Sequence, residues 1–333
     1  MSFDRRYFSR QLALEGFGAK AQGRLARSHV LVSGLGGTGT VAAVNLALAG
    51  VGHLSLLDRD VISTENLHRQ PTYSLADVGM SKAEVAARFL SQRVPGLDVD
   101  YHTDSLERGN ATRLLGDADL ALDCLDNMQA RHALNGACVV KEVPLVHTGG
   151  IGWEASAAVF WSPRSACLEC LIPAGGDEEL PSCEEVGVLG AVTSYAASVG
   201  ALESLKLLAG APSWLTGRML YFDGRTGESQ VVRLERRESC ETCGSGSRQG
   251  SREQVVQLCG MGEFYVNRAF PPRSFAALAK KLRDEARTMG DSIILVERGG
   301  ADVSLFRSGG ALVRGASSPQ EARTIVMELA ATS

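Results

Sequence analysis

A short glycine-rich turn constrains this chain more than any other feature. His29-Val30-Leu31-Val32-Ser33 reads as a buried strand, Gly34-Leu35-Gly36-Gly37-Thr38-Gly39 follows at once, and Thr40 to Ala49 has the Ala/Leu pattern of a helix. Leu54-Ser55-Leu56-Leu57-Asp58 is then a second apolar run that ends in an acid. A strand, a G-x-G-x-x-G turn, a helix and a strand make the first half of a doubly wound parallel sheet. The glycines let backbone approach a phosphate, and the helix start adds N–H donors and positive potential. Asp58 stands nineteen residues after Gly39, where an acid holds ribose hydroxyls in such folds. Gly34, Gly36, Gly37, Gly39 and Asp58 therefore predict a nucleotide site, although the motif does not separate NAD from ATP.

The alternation continues downstream. Residues 1–27 read as helical, Lys82 to Gln92 as a helix, Asp98 to Thr103 and Leu120 to Cys124 as strands, Ala130 to Val140 as a helix and Leu145 to Thr148 as a strand. Gly152 to Trp161 alternates as an antiparallel extension would, Pro173 to Pro181 reads as a loop, Val186 to Ala209 as a long helix, and Met219 to Leu234 as two strands. Gly244 to Ser251 has no bulky apolar residue and marks a boundary. Beyond it we expect a strand from Gln254 to Cys259, a helix from Phe275 to Arg287, strands near 292–298, 302–306 and 311–314, and a closing helix from Pro319. The predicted fold is α/β: a doubly wound, mostly parallel Rossmann-like sheet with a zinc-bound antiparallel extension, plus a small C-terminal α+β domain. The expected boundaries are 1–244, a linker at 245–253, and 254–333, for which no residue-level role follows from the sequence.

Composition narrows the function classes. The 333 residues are 44% hydrophobic and 22% charged, the range of a globular protein with a large core. With 34 Lys+Arg against 38 Asp+Glu, the net charge of −4 argues against direct binding of nucleic acid. No run of about 18 apolar residues is present, so no membrane association is expected. The first twenty residues carry Asp4, Arg5, Arg6 and Arg10 and lack the apolar core of a signal peptide, so the expected location is the cytoplasm.

Further polar groups favour ATP over NAD. Asn66-Leu67-His68-Arg69-Gln70 and Lys82 follow the second strand and would lie outside the carboxyl ends of the sheet. Cations there suit nucleotidyl transfer, in which charge builds on phosphorus oxygens, and hydride transfer does not need them. Asp126, just after the Leu120–Cys124 strand, offers an oxygen ligand for Mg²⁺. Cys167-x-x-Cys170 and Cys240-x-x-Cys243, with 69 residues between the pairs, supply four thiolates to one structural Zn²⁺. Cys183 sits in a loop before a long helix, where the helix dipole lowers a thiol pKa and the neighbouring Glu184 and Glu185 oppose that shift.

Together these residues resemble the ThiF/MoeB family, the ubiquitin-activating-enzyme-like adenylyltransferases. The resemblance covers roughly residues 4–244. It rests on Phe8-Ser9-Arg10-Gln11, the glycine turn, Leu56-Leu57-Asp58-Arg59-Asp60, Asn66 to Gln70, Gly79-Met80-Ser81-Lys82, Asp123 to Asn127 and both C-x-x-C pairs. It implies adenylylation of the C-terminal glycine of a ubiquitin-like sulfur-carrier protein that ends in Gly-Gly, with release of pyrophosphate. It also implies Asp58 as ribose ligand, Asp60 beside it in the nucleotide site, Asn66, Arg69 and Lys82 on the phosphates, and Asp126 on Mg²⁺. Arg10 would reach the triphosphate from the other subunit of a homodimer, and Cys183 would form a thioester or acyl disulfide with the carrier. A cysteine desulfurase or another sulfur donor is a further expected partner. The usual Arg-Tyr-x-Arg-Gln opening is altered, because Phe8 occupies the Tyr position. No rhodanese-type Cys loop is visible after residue 254, so sulfur transfer by this chain is not expected, and Cys259 reads as a small core residue.

Three other readings use the same glycines. One activates a small-molecule or tRNA-linked carboxylate, as in tRNA threonylcarbamoyladenosine dehydratase relatives; the zinc cysteines and the Cys183 loop count against it. An NAD-dependent oxidoreductase leaves Arg69, Lys82 and those cysteines unexplained. A non-catalytic scaffold leaves Arg10, Lys82 and Asp126 unexplained.

Overall fold

The structure, a computed structural model, describes residues 3–94, 96–173, 186–244, 255–257, 263–266, 269–289, 293–307 and 309–331. Cys183, Cys259 and the linker predicted at 245–253 lie outside the described residues. The first sheet contains β1 (His29–Ser33), β2 (His53–Leu57), β3 (Asp98–His102), β4 (Leu120–Asp123), β5 (Leu145–Ile151), β6 (Glu154–Phe160), β7 (Arg218–Asp223) and β8 (Glu228–Arg233). Their spatial order is β3-β2-β1-β4-β5-β6-β7-β8. From β3 to β5 the neighbours run parallel, and from β5 onward each pair is antiparallel. This is the predicted doubly wound sheet with its antiparallel extension.

Around the sheet lie α1 (Ser9–Leu12), α2 (Gly18–Leu25), α3 (Gly37–Leu48), α4 (Lys82–Ser91), α5 (Ala111–Leu115), α6 (Met128–Lys141), α7 (Leu168–Leu171) and α8 (Gly190–Ala209). Strand alternation sends Val30, Val32, Leu54 and Leu56 into one buried layer with Ala43 and Leu46 of α3 and Val85 and Leu90 of α4. Leu31, Leu57 and Ala121 point the other way, into a layer with Leu114 of α5 and Leu134 of α6. Both faces of the central strands are thus covered, which is why they read as unbroken apolar runs. The α8 helix packs on α3 and on β5 and β6, so α3 is sandwiched and apolar nearly all round.

A second sheet gathers β9 (Val255–Gln257), β10 (Glu263–Val266), β11 (Ala286–Met289), β12 (Ile293–Arg298), β13 (Ala301–Phe306) and β14 (Ala311–Arg314) in the order β11-β12-β13-β14-β10-β9. Its paired strands are antiparallel, and with α9 (Phe275–Lys281) and α10 (Pro319–Ala331) it encloses a core of its own that includes Phe264, Leu278, Val303 and Leu329.

Some expected boundaries move. In place of one helix over 1–27, the described residues 3–27 hold two short helices, because Gly16 and Gly18 adopt positive φ and break the run between them. The long helix starts at Gly190 rather than Val186: Gly187 has φ +74°, and its carbonyl accepts the Gly152 N–H at 2.7 Å, outside any helical pattern. The helix expected through Arg287 ends at Lys281, since pairing with β12 draws residues 286–289 into a strand. The strand at 263–266 is not among the expected elements, and its register has no local sequence signal, because its pairing with β14 is a long-range partnership.

Candidate active site

The strand order reverses between β1 and β4, the point at which doubly wound sheets have their ligand crevice, outside the carboxyl ends of the strands. Gly34 adopts φ +86°, and a Cβ on it would stand 2.5 Å from the Cys124 carbonyl oxygen, so only glycine lets the two loops meet. A Cβ on Gly39 would lie 1.8 Å from the Gly34 oxygen, and one on Gly37 would lie 2.9 Å from Thr193 Oγ1 of α8. Gly36 differs. The nearest atom to its missing Cβ is Gln70 Nε2 at 3.8 Å, leaving room beside its backbone. Three glycines serve close packing, and the fourth keeps one side of the turn open. The first N–H groups of α3 have no intrahelical partner, and its N-cap, Gly36, has no side chain to accept from them. Buried Gln70 also keeps an Oε1 without a hydrogen-bond partner among the described residues.

The acid after β2 is built into this turn. Asp58 is buried; its Oδ2 accepts the Leu35 N–H at 2.6 Å, and its Oδ1 accepts the Asp60 N–H at 2.7 Å. Burial pushes its carboxyl up to about 6, against the pull of Lys82. Lys82 opens α4, donates its backbone N–H to the Asp60 carbonyl at 3.1 Å and places Nζ 2.9 Å from Asp60 Oδ2. Burial alone would raise the Asp60 carboxyl, but Lys82, Arg59 and Arg314 outweigh it and hold the group at about 2. The Lys82 ammonium is raised in turn: Asp60 and Asp58 overcome burial, and Asp126 adds to their effect. Asp126 thus acts electrostatically on the same pair.

The Asp126 loop is fixed from beneath. Fully buried Asp123 binds His147 Nδ1 at 2.7 Å and the Leu125 N–H at 3.1 Å, with Arg131 Nε at 3.5 Å. Arg131 also donates to the Leu125 carbonyl. Asn127 caps α6 by accepting the Ala130 N–H at 2.8 Å, and between these anchors Asp126 is exposed. Asn66 ends a short 3₁₀ turn, half-buried. Arg69 donates to the Glu65 carbonyl at 2.9 Å and lies under the start of α8, where a Cβ on Gly190 would touch it.

Arg10 is not brought to this group within the chain. Its neighbour Gln11 donates to the Ala49 carbonyl at 2.7 Å, at the far end of α3, and twelve residues of helix span about 18 Å. The four cysteines do converge. Cys167–Cys170, Cys167–Cys240 and Cys170–Cys243 have sulfur separations of 4.0, 3.6 and 3.4 Å, and all four are buried. Zn–S bonds of about 2.3 Å make a tetrahedron with edges of about 3.8 Å, so the set fits one zinc ion.

Two contributions escaped the sequence reading. Tyr73 O–H lies 3.1 Å from the Leu35 carbonyl and 3.2 Å from the Lys82 carbonyl, tying the glycine turn to α4. The second sheet braces the segment after Asp58: Tyr265 donates to the Thr103 carbonyl at 2.8 Å, Arg59 lies over its ring, and Val61 packs with Ile293, Phe306 and Leu312. Neither contact leaves a local pattern, because each joins residues distant in sequence.

A glycine turn, a buried acid and a lysine gathered at the strand-order reversal of a doubly wound sheet make the arrangement seen in dinucleotide-binding folds of this architecture. More narrowly, residues 8–242 match the ThiF family, and the chain belongs to it. It is 36% identical over 258 residues to the adenylyltransferase and sulfurtransferase MOCS3 of Caenorhabditis briggsae, an overlap of 77% of this chain and 64% of that protein. The Drosophila willistoni protein of the same name is 38% identical over 258 residues, covering 76% and 56%. The chain therefore spans less than two thirds of the length of these relatives. Among solved structures, Escherichia coli MccB with ATP aligns with a TM-score of 0.64 at 23% identity, covering 73% of this chain and 75% of that one. A PaaA structure aligns at 0.60 and 21% identity, covering 69% and 73%, so the fold is shared.

Proposed function

We propose that this chain is an ATP-dependent adenylyltransferase that activates the C-terminal glycine of a ubiquitin-like sulfur-carrier protein. The observation that carries the reading is the Lys82–Asp60 pair at 2.9 Å, set beside buried Asp58 and the open side of Gly36. The names of the MOCS3 relatives support it.

In this reading the α3 N-terminus and the backbone at Gly36 and Gly37 hold phosphate, and Asp58 accepts from the ribose hydroxyls. Asp60 fixes Lys82, so the ammonium stays charged near the polyphosphate. Arg69 and Asn66 add donors on the same side. Asp126 is an exposed hard-oxygen donor that would hold Mg²⁺, which neutralises phosphate charge when bound. The carrier carboxylate attacks the α-phosphorus, a new acyl–phosphate bond forms, the bond to the β-phosphate breaks, and pyrophosphate leaves. The Cys167, Cys170, Cys240 and Cys243 set would hold Zn²⁺ as a structural tie.

Arg10 completing the site of a second subunit belongs to the same proposal, since it lies far from the glycine turn of its own chain. So do a covalent role for Cys183, a sulfur donor as partner, a cytoplasmic location and the division at 245–253. No described helix is long and apolar enough to cross a membrane.

The test is exchange of labelled pyrophosphate into ATP. Exchange is expected to require a carrier ending in Gly-Gly and to vanish in Asp126→Ala. Exchange supported by a small carboxylate without the carrier, or unchanged in that variant, would overturn the reading.

A further inference from the structure

The parallel strands carry a second polar cluster, away from the crevice. His29 and His53 are the first residues of β1 and β2 and are directly paired in register, so their side chains stand abreast. Their rings stack with centroids 3.8 Å apart and planes 12° apart. Register also aligns Ser55 with Asp100, and Leu57 with His102, on the same face. Asp100 gathers the group: Oδ2 lies 2.6 Å from His53 Nε2 and 2.8 Å from Ser55 Oγ, and Oδ1 lies 3.1 Å from His102 Nε2. His29 Nε2 reaches Ser55 Oγ at 2.8 Å.

This face is open for a topological reason. The β3–β4 crossover supplies only the five-residue α5, which together with α6 covers Leu31, Leu57 and Ala121 but not the amino ends of β1 and β2. The side chains of His53, Asp100 and His102 keep 32, 43 and 33% of their exposure, so an ion has a path in from solvent. Glycine turn and cluster lie at opposite ends of β1, a strand of five residues, about 16 Å. Nucleotide chemistry at the turn therefore leaves these imidazoles unemployed.

We infer that His29, His53 and Asp100, with His102 alongside, form a site for a divalent transition-metal ion of the zinc type. Ligand atoms of the first three lie within 4.8 Å of one another. Zinc–nitrogen bonds of about 2.0–2.1 Å would bring them to about 3.4 Å apart, a modest rotation for half-exposed rings. Two imidazoles and a carboxylate are a borderline set that favours Zn²⁺ over Mg²⁺ or Ca²⁺. The ion would bridge three adjacent strands and pin edge strand β3 to the sheet. The inference is independent of the proposed reaction.

The test uses the full-length, tag-free chain with its cysteine zinc in place, dialysed against micromolar ZnCl₂. Metal analysis is expected to give about two zinc ions per wild-type chain and about one in Asp100→Asn and in His29→Gln/His53→Gln. Cys240→Ser is expected to retain the second ion while losing the first. Equal zinc content in wild type and the histidine variants would overturn the inference. A second measurement needs no substitution: imidazole ¹⁵N resonances of wild-type protein during the same zinc titration. His29 and His53 are expected to shift together while buried His132 and His147 stay fixed. Zinc uptake that leaves His29 and His53 unmoved would equally overturn it.

Discussion

Lys82 Nζ lies 2.9 Å from Asp60 Oδ2, and the same lysine gives its backbone N–H to the Asp60 carbonyl at 3.1 Å. The first residue of a helix is thus fastened twice to the loop that follows the acid of β2. The side chains retain only 8% and 24% of their exposure, so the pair is largely withdrawn from water. Removing one partner of a fully buried pair costs roughly 3–5 kcal/mol, and the partial exposure of Asp60 reduces that to about 2 kcal/mol for Lys82→Met. The double variant Asp60→Leu/Lys82→Met is expected to recover at least about 1 kcal/mol of the summed single losses. Urea denaturation of the four proteins checks this, and strictly additive losses would show that the pair is not coupled.

The glycines separate packing from ligand approach. Gly39→Ala forces a methyl to 1.8 Å from backbone oxygen, and a loss above about 2 kcal/mol is expected in thermal unfolding. Gly36→Ala meets nothing nearer than 3.8 Å, so stability is expected to change by under about 1 kcal/mol while ATP affinity falls at least tenfold. Calorimetric titration decides, and full ATP affinity in Gly36→Ala would mean that phosphate does not approach there.

The acid after β2 gives a pH signature. Burial raises Asp58 to about 6, so a proton is taken up as the pH falls through that value. If Asp58 is the ribose ligand proposed above, protonation removes an acceptor for a ribose hydroxyl, and ATP affinity is expected to weaken by several-fold between pH 7.5 and 5.5, on the order of one kcal/mol. A 2′,3′-dideoxy nucleotide titrates identically at its phosphates but lacks that contact, so its pH dependence should be flatter. Identical pH profiles would remove Asp58 as the ribose ligand. Stability moves oppositely: the raised group favours folding below its unfolded value of 3.8 and loses that contribution as pH rises through about 6.

What the sequence made legible was local. The run His29–Ser33, the glycines and Asp58 are contiguous signals whose periodicity and spacing follow from strand and helix geometry, and the structure assembles them at the reversal of strand order. The paired C-x-x-C motifs announced their convergence because spacing within each pair fits one ion. Partnerships across the fold stayed hidden. Nothing around Tyr265 points to Thr103, and nothing around Asp123 points to His147, since hydrogen bonds between distant strands leave no periodicity. The 286–289 segment illustrates the same limit: Ala286 and Arg287 read as the end of a helix, yet the edge of β12 draws them into a strand.

The central claim is that the crevice beside Gly36 holds ATP, and a crystal structure with a non-hydrolysable ATP analogue and Mg²⁺ tests it most directly. The expected density places phosphate over the Gly36–Gly37 backbone, ribose hydroxyls within hydrogen-bond reach of Asp58 and the polyphosphate beside Lys82. An empty glycine turn, or a nicotinamide dinucleotide retained there in preference to the analogue, would contradict it.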